Sequence, residues 1–299
     1  LSTRDLRDSD LQTLFKATKK FKGQSSPALL SGKTIVQCFI ENSTRTRSSF
    51  ETAVRRLGGT NLGFSASTSS LNKGESLLDT AQNIQALGAD AIVLRHSENG
   101  AAHLLARALD VSIINAGDGT HEHPSQALLD AFTLLEALGS LKGKRVLILG
   151  DILHSRVARS NFHLLKSLGA KVTVCAPGTL LPPSVQTLGV SVASRLEDAL
   201  AETDVVMALR VQLERHATPL LPSLAEYARF WGLGAQRLRL LKKGALLLHP
   251  GPVNWGVELM PEAKTFDGNL ILQQVENGVY MRMAILGWLL NPEGMRKNV

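Results

Sequence analysis

The chain has 299 residues, with 33 Lys and Arg against 26 Asp and Glu, a formal charge of +7, 44% hydrophobic residues and 5% aromatics. At roughly 100–200 residues per domain this predicts about two domains, each able to bury its own core, and excludes a disordered chain. No apolar stretch approaches the ~20 residues of a spanning helix, and Leu1-Ser-Thr-Arg-Asp5 is polar rather than signal-like, so a soluble, cytoplasmic protein without a membrane partner is expected.

Short aliphatic or β-branched runs predict strands at Thr34–Ile40, Ala91–Leu94, Ser112–Asn115, Arg145–Leu149, Lys171–Cys175, Val205–Leu209 and Ala245–Leu248. Helical patterns separate them at Ser49–Leu57, Ser76–Leu87, Ala101–Leu109, Pro124–Leu138, Ser155–Leu168, Leu196–Leu200, Ala235–Leu241 and Val279–Leu290. Strands alternating with helices mean βαβ crossovers, hence an α/β fold of two domains, each a parallel β-sheet flanked by helices. Gly139-Ser-Leu-Lys-Gly143 supplies a C-cap glycine and a short polar link. The expected domains are therefore 1–138 and 139–273, with 274–299 a C-terminal helix packing back on the first. Cys38 and Cys175 lie inside apolar runs and read as small core residues, with neither a disulfide framework nor a CxxC metal pair.

Ligands of open parallel sheets bind beyond the carboxyl ends of strands, so the residues after each strand carry the functional reading. After the first strand comes Ser43-Thr-Arg-Thr-Arg47, then an amphipathic helix with Phe50, Val54 and Leu57 on one face. Hydroxyls, guanidiniums and the free N–H groups of a helix start together make a phosphate cradle. No run of five or six Lys or Arg occurs; the arginines stand singly or in pairs, as a compact anion pocket needs, and no nucleic-acid partner is expected. Asn115-Ala-Gly-Asp-Gly119 leads into His123-Pro-Ser-Gln126, where Pro124 suits the first helical position and fixes His123 at a helix N-terminus. A neutral imidazole there donates to a carbonyl oxygen. His121-x-His123 has the spacing of a metal pair, but no further Cys, His, Asp or Glu cluster in the sequence completes it, so no metal is expected. Gly150-Asp151 opens a helix after a strand, yet the later glycines of G-x-G-x-x-G are missing and no P-loop occurs, so no nucleotide cofactor is expected.

These motifs resemble the aspartate/ornithine carbamoyltransferase family. Similar segments run in the family's order through Ser43–Arg47, Ser69–Glu75, Leu94-Arg95-His96, Asn115–Gln126, Gly150-Asp151 with Arg156, Arg210-Val-Gln212 and His249-Pro-Gly251-Pro252. The last two resemble the branch that carbamoylates aspartate. The resemblance implies transfer of the carbamoyl group of carbamoyl phosphate to L-aspartate, a step of pyrimidine biosynthesis, with no cofactor. Another amine acceptor such as ornithine, or a dinucleotide-binding oxidoreductase, stands as the alternative.

By the same resemblance, Ser43, Thr44, Arg45 and Thr46 hold the phosphate, and Arg45 also stabilises the leaving group. Arg95 binds carbamoyl phosphate through its carbonyl and phosphate oxygens and His123 engages the carbonyl oxygen, while Gln126 and the backbone carbonyls of the turn at Gly251 and Pro252 contact the carbamoyl amine. Arg156, Arg210 and Gln212 take the carboxylates of aspartate; guanidinium suits that task because it binds carboxylate bidentately. Ser69 and Lys73 reach into a neighbouring subunit's site, which implies a homotrimer with shared active sites and leaves open a larger assembly with regulatory or dihydroorotase-like chains. Arg45, Thr46, Lys73, Arg95 and His123 are the residues expected to be catalytic, through domain closure and electrostatic stabilisation. Trp255 stands where bacterial relatives commonly carry Arg, and no contact is assigned to it.

Overall fold

A computed structural model describes residues 1–23, 27–65, 74–213 and 220–298. The chain divides into two compact units, Leu1–Leu129 with Val275–Val299, and Asp130–Gln274.

The first unit runs through α1 (Asp8–Gly23), β1 (Thr34–Phe39), α2 (Thr44–Arg56), β2 (Thr60–Ser65), α3 (Leu77–Ala86), β3 (Ala91–His96), α4 (Ala101–Ala108), β4 (Ser112–Asp118) and the start of α5 (Pro124–Leu138). The second continues through β5 (Arg145–Leu149), α6 (Arg156–Ser167), β6 (Lys171–Cys175), β7 (Ser191–Val192), α7 (Leu196–Glu202), β8 (Val205–Ala208), α8 (Leu224–Trp231), α9 (Ala235–Leu238) and β9 (Leu246–Leu248). The chain returns to the first unit within α10 (Ile271–Leu290), followed by α11 (Pro292–Asn298). None of the described helices is long and apolar enough to cross a membrane.

All named strands pair in parallel, in the orders β2-β1-β3-β4 and β7-β6-β5-β8-β9. Strands covered by helices on both faces read as continuous apolar runs, and Ala91-Ile-Val-Leu94 and Val205-Val-Met-Ala208 are buried throughout. Val36, Cys38, Ile84, Ile92, Leu94 and Leu105 share one core cluster. Leu147, Leu149, Val206, Ala208, Leu247 and Leu259 share another in the second unit. Both cysteines are buried thiols; burial pushes Cys38 up to about 12, and burial with Glu197 nearby pushes Cys175 up to about 11.

The strand order sets the position of each site. From β1 the chain builds β2 on one side and β3 on the other, so the sheet reverses direction at β1 and β3. The second sheet reverses in the same way at β5, between β6 and β8. A crevice opens at the carboxyl ends of the strands at such a switch point.

Among the described residues, five helices or strands have no counterpart in the apolar pattern: α1, β2, β7, α8 and α11. In α1, Leu11, Leu14, Ala17 and Phe21 face the core between four lysines, which dilute the apolar signal. The β2 segment Thr-Asn-Leu-Gly-Phe-Ser forms an edge strand and needs no continuous apolar run.

Candidate active site

In the first unit, α2 begins at Thr44, five residues ahead of the helix predicted from apolar spacing, because its polar first turn is helical too. Ser43 occupies the N-cap position but makes no capping hydrogen bond. Elsewhere the usual cap is formed: Ser76 accepts from Asp79 N and Ser155 from Ala158 N. The N–H groups at the start of α2 thus keep their partial positive charge for an anion, with the Ser43 hydroxyl beside them. Thr44 and Arg45 are exposed there and Thr46 is buried. The second guanidinium of the motif is committed elsewhere: Arg47 Nε donates to Glu51 Oε1 at 2.8 Å, one helical turn along.

Arg95 lies inside β3 rather than after it, since pairing extends to His96. Its Nη2 donates to Glu41 Oε1 at 2.8 Å and its Nη1 points at the Ala116 carbonyl at 3.4 Å. Glu41 follows β1, so this ion pair spans the switch point and orients a guanidinium whose side chain is only 13% exposed. Nothing in the sequence links residues 54 apart, and Glu41 is therefore missing from the expected site.

The third edge is the turn from β4 to α5. The carbonyl of His123 accepts from Gln126 N at 3.0 Å and Ala127 N at 3.2 Å, fixing His123 at the helix start with its ring buried. Ser125 Oγ lies 3.5 Å from His123 Nδ1. Gln126 is buried in the first turn of α5. Glu122 anchors the turn: it accepts from Thr3 N and Thr3 Oγ1, both at 2.9 Å, and from Ser2 Oγ. The structure thus gathers Ser43 to Thr46, Arg95, His123 and Gln126 along one edge of the first sheet. Ser69 and Lys73 lie outside the described residues.

In the second unit, Gly150 turns the chain out of β5 with φ 124°, and a Cβ there would stand 2.9 Å from the Leu209 carbonyl. That close approach brings the β5 turn against the end of β8. Asp151, fully buried, accepts from His154 N at 3.2 Å, pairs with His154 Nδ1 at 2.9 Å and meets Gln212 N at 3.4 Å. Gln212 Nε2 also points at the His154 carbonyl at 3.4 Å. Arg210, half-buried, immediately follows this edge, and buried Arg156 opens α6. Arg210 and Gln212 accordingly sit at the second switch point, tied to the β5 turn.

The turn after β9 is held from behind. His249 Nδ1 accepts from Gly251 N at 2.8 Å, which places the ring proton on Nε2, 3.2 Å from Glu258 Oε1. The same carboxylate oxygen accepts from Asn254 N at 2.6 Å. His249 N donates to Gln274 Oε1 at 2.9 Å, Gln274 Nε2 to Asp130 Oδ1 at 2.8 Å, and Asn161 Nδ2 to Asp130 Oδ2 at 2.9 Å. This buried chain fixes the backbone at Gly251 and Pro252, and only its histidine stands in a motif readable from the sequence. Trp255 is engaged by Lys264, whose Nζ lies 4.7 Å from the ring centroid.

Two family profiles match the chain: the aspartate/ornithine carbamoyltransferase carbamoyl-P binding domain at residues 1–136, and the Asp/Orn binding domain at 142–289. The catalytic subunit of aspartate carbamoyltransferase from Myxococcus xanthus is 53% identical over 282 residues, 94% of this chain and 95% of that protein. The corresponding subunit from Ruminiclostridium cellulolyticum is 48% identical and covers 100% of this chain and 97% of its own length. Among solved structures, the aspartate transcarbamoylase of Trypanosoma cruzi in complex with carbamoyl phosphate and aspartate superposes with a TM-score of 0.87 at 31% identity, covering 97% of this chain and 96% of that one. The same enzyme in complex with N-(phosphonacetyl)-L-aspartic acid superposes with a TM-score of 0.84.

Proposed function

The chain belongs to the aspartate/ornithine carbamoyltransferase family, and from that premise we propose that it transfers the carbamoyl group of carbamoyl phosphate to the amine of L-aspartate. The products are N-carbamoyl-L-aspartate and inorganic phosphate. The observation that carries this reading is that each sheet presents anion-binding groups at its own switch point. The first has the uncapped start of α2 and Arg95, and the second has Arg210 with Gln212.

An acyl phosphate needs its leaving dianion held and its carbonyl oxygen stabilised as that oxygen gains charge. Ser43, Thr44, Arg45 and Thr46 take the phosphate at the start of α2, and Arg45 neutralises it as it departs. Arg95, aimed by Glu41, and His123 donate to the carbonyl oxygen; Gln126 contacts the carbamoyl amine. In the second unit the guanidiniums of Arg156 and Arg210 match the two carboxylates of aspartate, and Gln212 assists. The carbonyls of the clamped 249–252 turn accept from an amide N–H. The aspartate amine attacks the carbonyl carbon, the C–O bond to phosphate breaks, and the amine proton leaves with the phosphate. Arg45, Thr46, Arg95, His123 and Lys73 are the catalytic set.

The protein acts in the cytoplasm as a homotrimer in which Ser69 and Lys73 complete a neighbour's site; the resemblance of the segment Ser69–Glu75 supports this reading. Mixing Lys73→Ala with Arg45→Ala chains then restores activity in hybrid trimers. Phosphate release from carbamoyl phosphate, measured with L-aspartate and with L-ornithine, tests the reaction. Turnover with aspartate alone is expected; turnover with ornithine, or with neither, overturns it.

A further inference from the structure

The turn that carries His123 holds a second group of side chains with no part in the reaction above. Asp118 closes β4, His121 follows it in the turn, and His103 comes from α4. One ligand atom of each lies within 4.8 Å of the other two. His121 Nδ1 is 2.9 Å from Asp118 Oδ2, and the rings of His103 and His121 stand edge to face with centroids 5.7 Å apart. His103 stands on α4 and His121 in the turn after β4, 18 residues further along the chain, so their meeting is a product of the fold.

We propose that His103, His121 and Asp118 bind one divalent transition metal ion of the zinc class. Two imidazoles and a carboxylate are the donor set that zinc takes when a fourth position is left to water. Bonds of about 2.0–2.1 Å place tetrahedral ligands about 3.4 Å apart, so ligand atoms that already lie within 4.8 Å of one another need to draw in by at most about 1.4 Å. His121 has room for that, with its side chain 37% exposed. A separate observation is that the buried Nδ1 of His103 has no hydrogen-bond partner among the described residues. A buried polar atom left in that state is costly.

The remaining ligand is already oriented. Asp118 Oδ2 accepts from Gly100 N at 2.7 Å, and Oδ1 from Asn115 Nδ2 at 2.9 Å and Glu122 N at 3.1 Å. Such outer contacts hold a ligating carboxylate in place. Gly119 keeps the turn tight with φ 47°, where a Cβ would overlap Asn99. An ion held here ties α4 to the turn that positions His123, a structural clamp outside the reacting atoms.

The test is calorimetric titration of Zn²⁺ into the chelator-treated full-length protein in a non-coordinating buffer, with Co²⁺ as the optical probe. One Zn²⁺ per chain is expected, together with a visible Co²⁺ absorption band that Zn²⁺ displaces and a rise in melting temperature. His103→Ala and His121→Ala should each weaken Zn²⁺ binding by at least about 100-fold and abolish the Co²⁺ band. Should either alanine variant fail to fold, His103→Gln must lose the band while keeping the far-ultraviolet circular dichroism of the parent. A parent protein that binds no Zn²⁺, or a foldable His103 variant that binds it as the parent does, overturns the proposal.

Discussion

Glu258→Ala is expected to loosen the turn after β9 in the second unit. Glu258 Oε1 accepts from two donors, His249 Nε2 at 3.2 Å and Asn254 N at 2.6 Å, and the His249 side chain has no exposure at all. Removing the acceptor leaves both N–H groups without a partner, at about 1–3 kcal/mol each. Part of this is offset, because Glu258 Oε2 is itself buried with no hydrogen bond among the described residues and its removal relieves that burden. The net loss is about 2–4 kcal/mol, which for a unit of this size lowers the melting temperature by about 5–15 °C. Glu258→Gln behaves differently. Its amide carbonyl can accept from both donors, so only the charge assistance is lost, about 1 kcal/mol. Differential scanning calorimetry of parent, Ala and Gln proteins, with phosphate-release activity on the same samples, separates geometry from charge. Activity should fall with Ala and largely survive with Gln. An Ala variant melting within about 1 °C of the parent, or a Gln variant as damaged as Ala, refutes the reasoning.

Gly150→Ala should destabilise the second unit and raise the KM for aspartate. The residue's φ of 124° disfavours any side chain, and the new Cβ would lie 2.9 Å from Leu209 O and 3.1 Å from Tyr227 Oη. Thermal melting and steady-state kinetics report both effects. Asp90 gives a pH prediction. Burial raises its pKa, but Lys33 Nζ at 2.7 Å and Thr34 N at 2.8 Å outweigh that and hold it below 3.8. Its stabilisation is therefore present above pH 3.8 and lost as pH falls through the lower native value, so Asp90→Asn should destabilise more at pH 7 than at pH 3 by urea titration. Cys38 and Cys175, with their thiols pushed up by burial to about 12 and about 11, should resist a thiol reagent at pH 8 until urea is added. Rapid labelling of the native protein contradicts their buried placement.

What could be read ahead of the structure follows from which interactions are local. Strands such as Ala91–His96 and Val205–Ala208 announce themselves because both faces are buried, and Pro124–Leu138 has a proline start and a glycine stop. α10 begins at Ile271, eight residues ahead of the apolar pattern, because its early turns bury polar residues instead. Gln274 and Asn277 are buried there, and Asn277 accepts from Lys22 Nζ at 2.9 Å, a partner 255 residues away. The candidate site divides in the same way. Ser43–Thr46, His123 and Arg210 are legible because each follows a strand in a recognisable motif. Their supports, Glu41 behind Arg95 and Glu258 behind His249, are ordinary carboxylates until the fold brings them within hydrogen-bonding distance.

One chain that supplies ligands for both a phosphate and a dicarboxylate should bind N-(phosphonacetyl)-L-aspartate, which joins mimics of the two in one molecule. Calorimetric titration of the purified protein with this compound should give one binding event per chain, weakened about 100-fold or more by Arg45→Ala and by Arg210→Ala. Absence of binding, or equal binding by the parent and both variants, would contradict it.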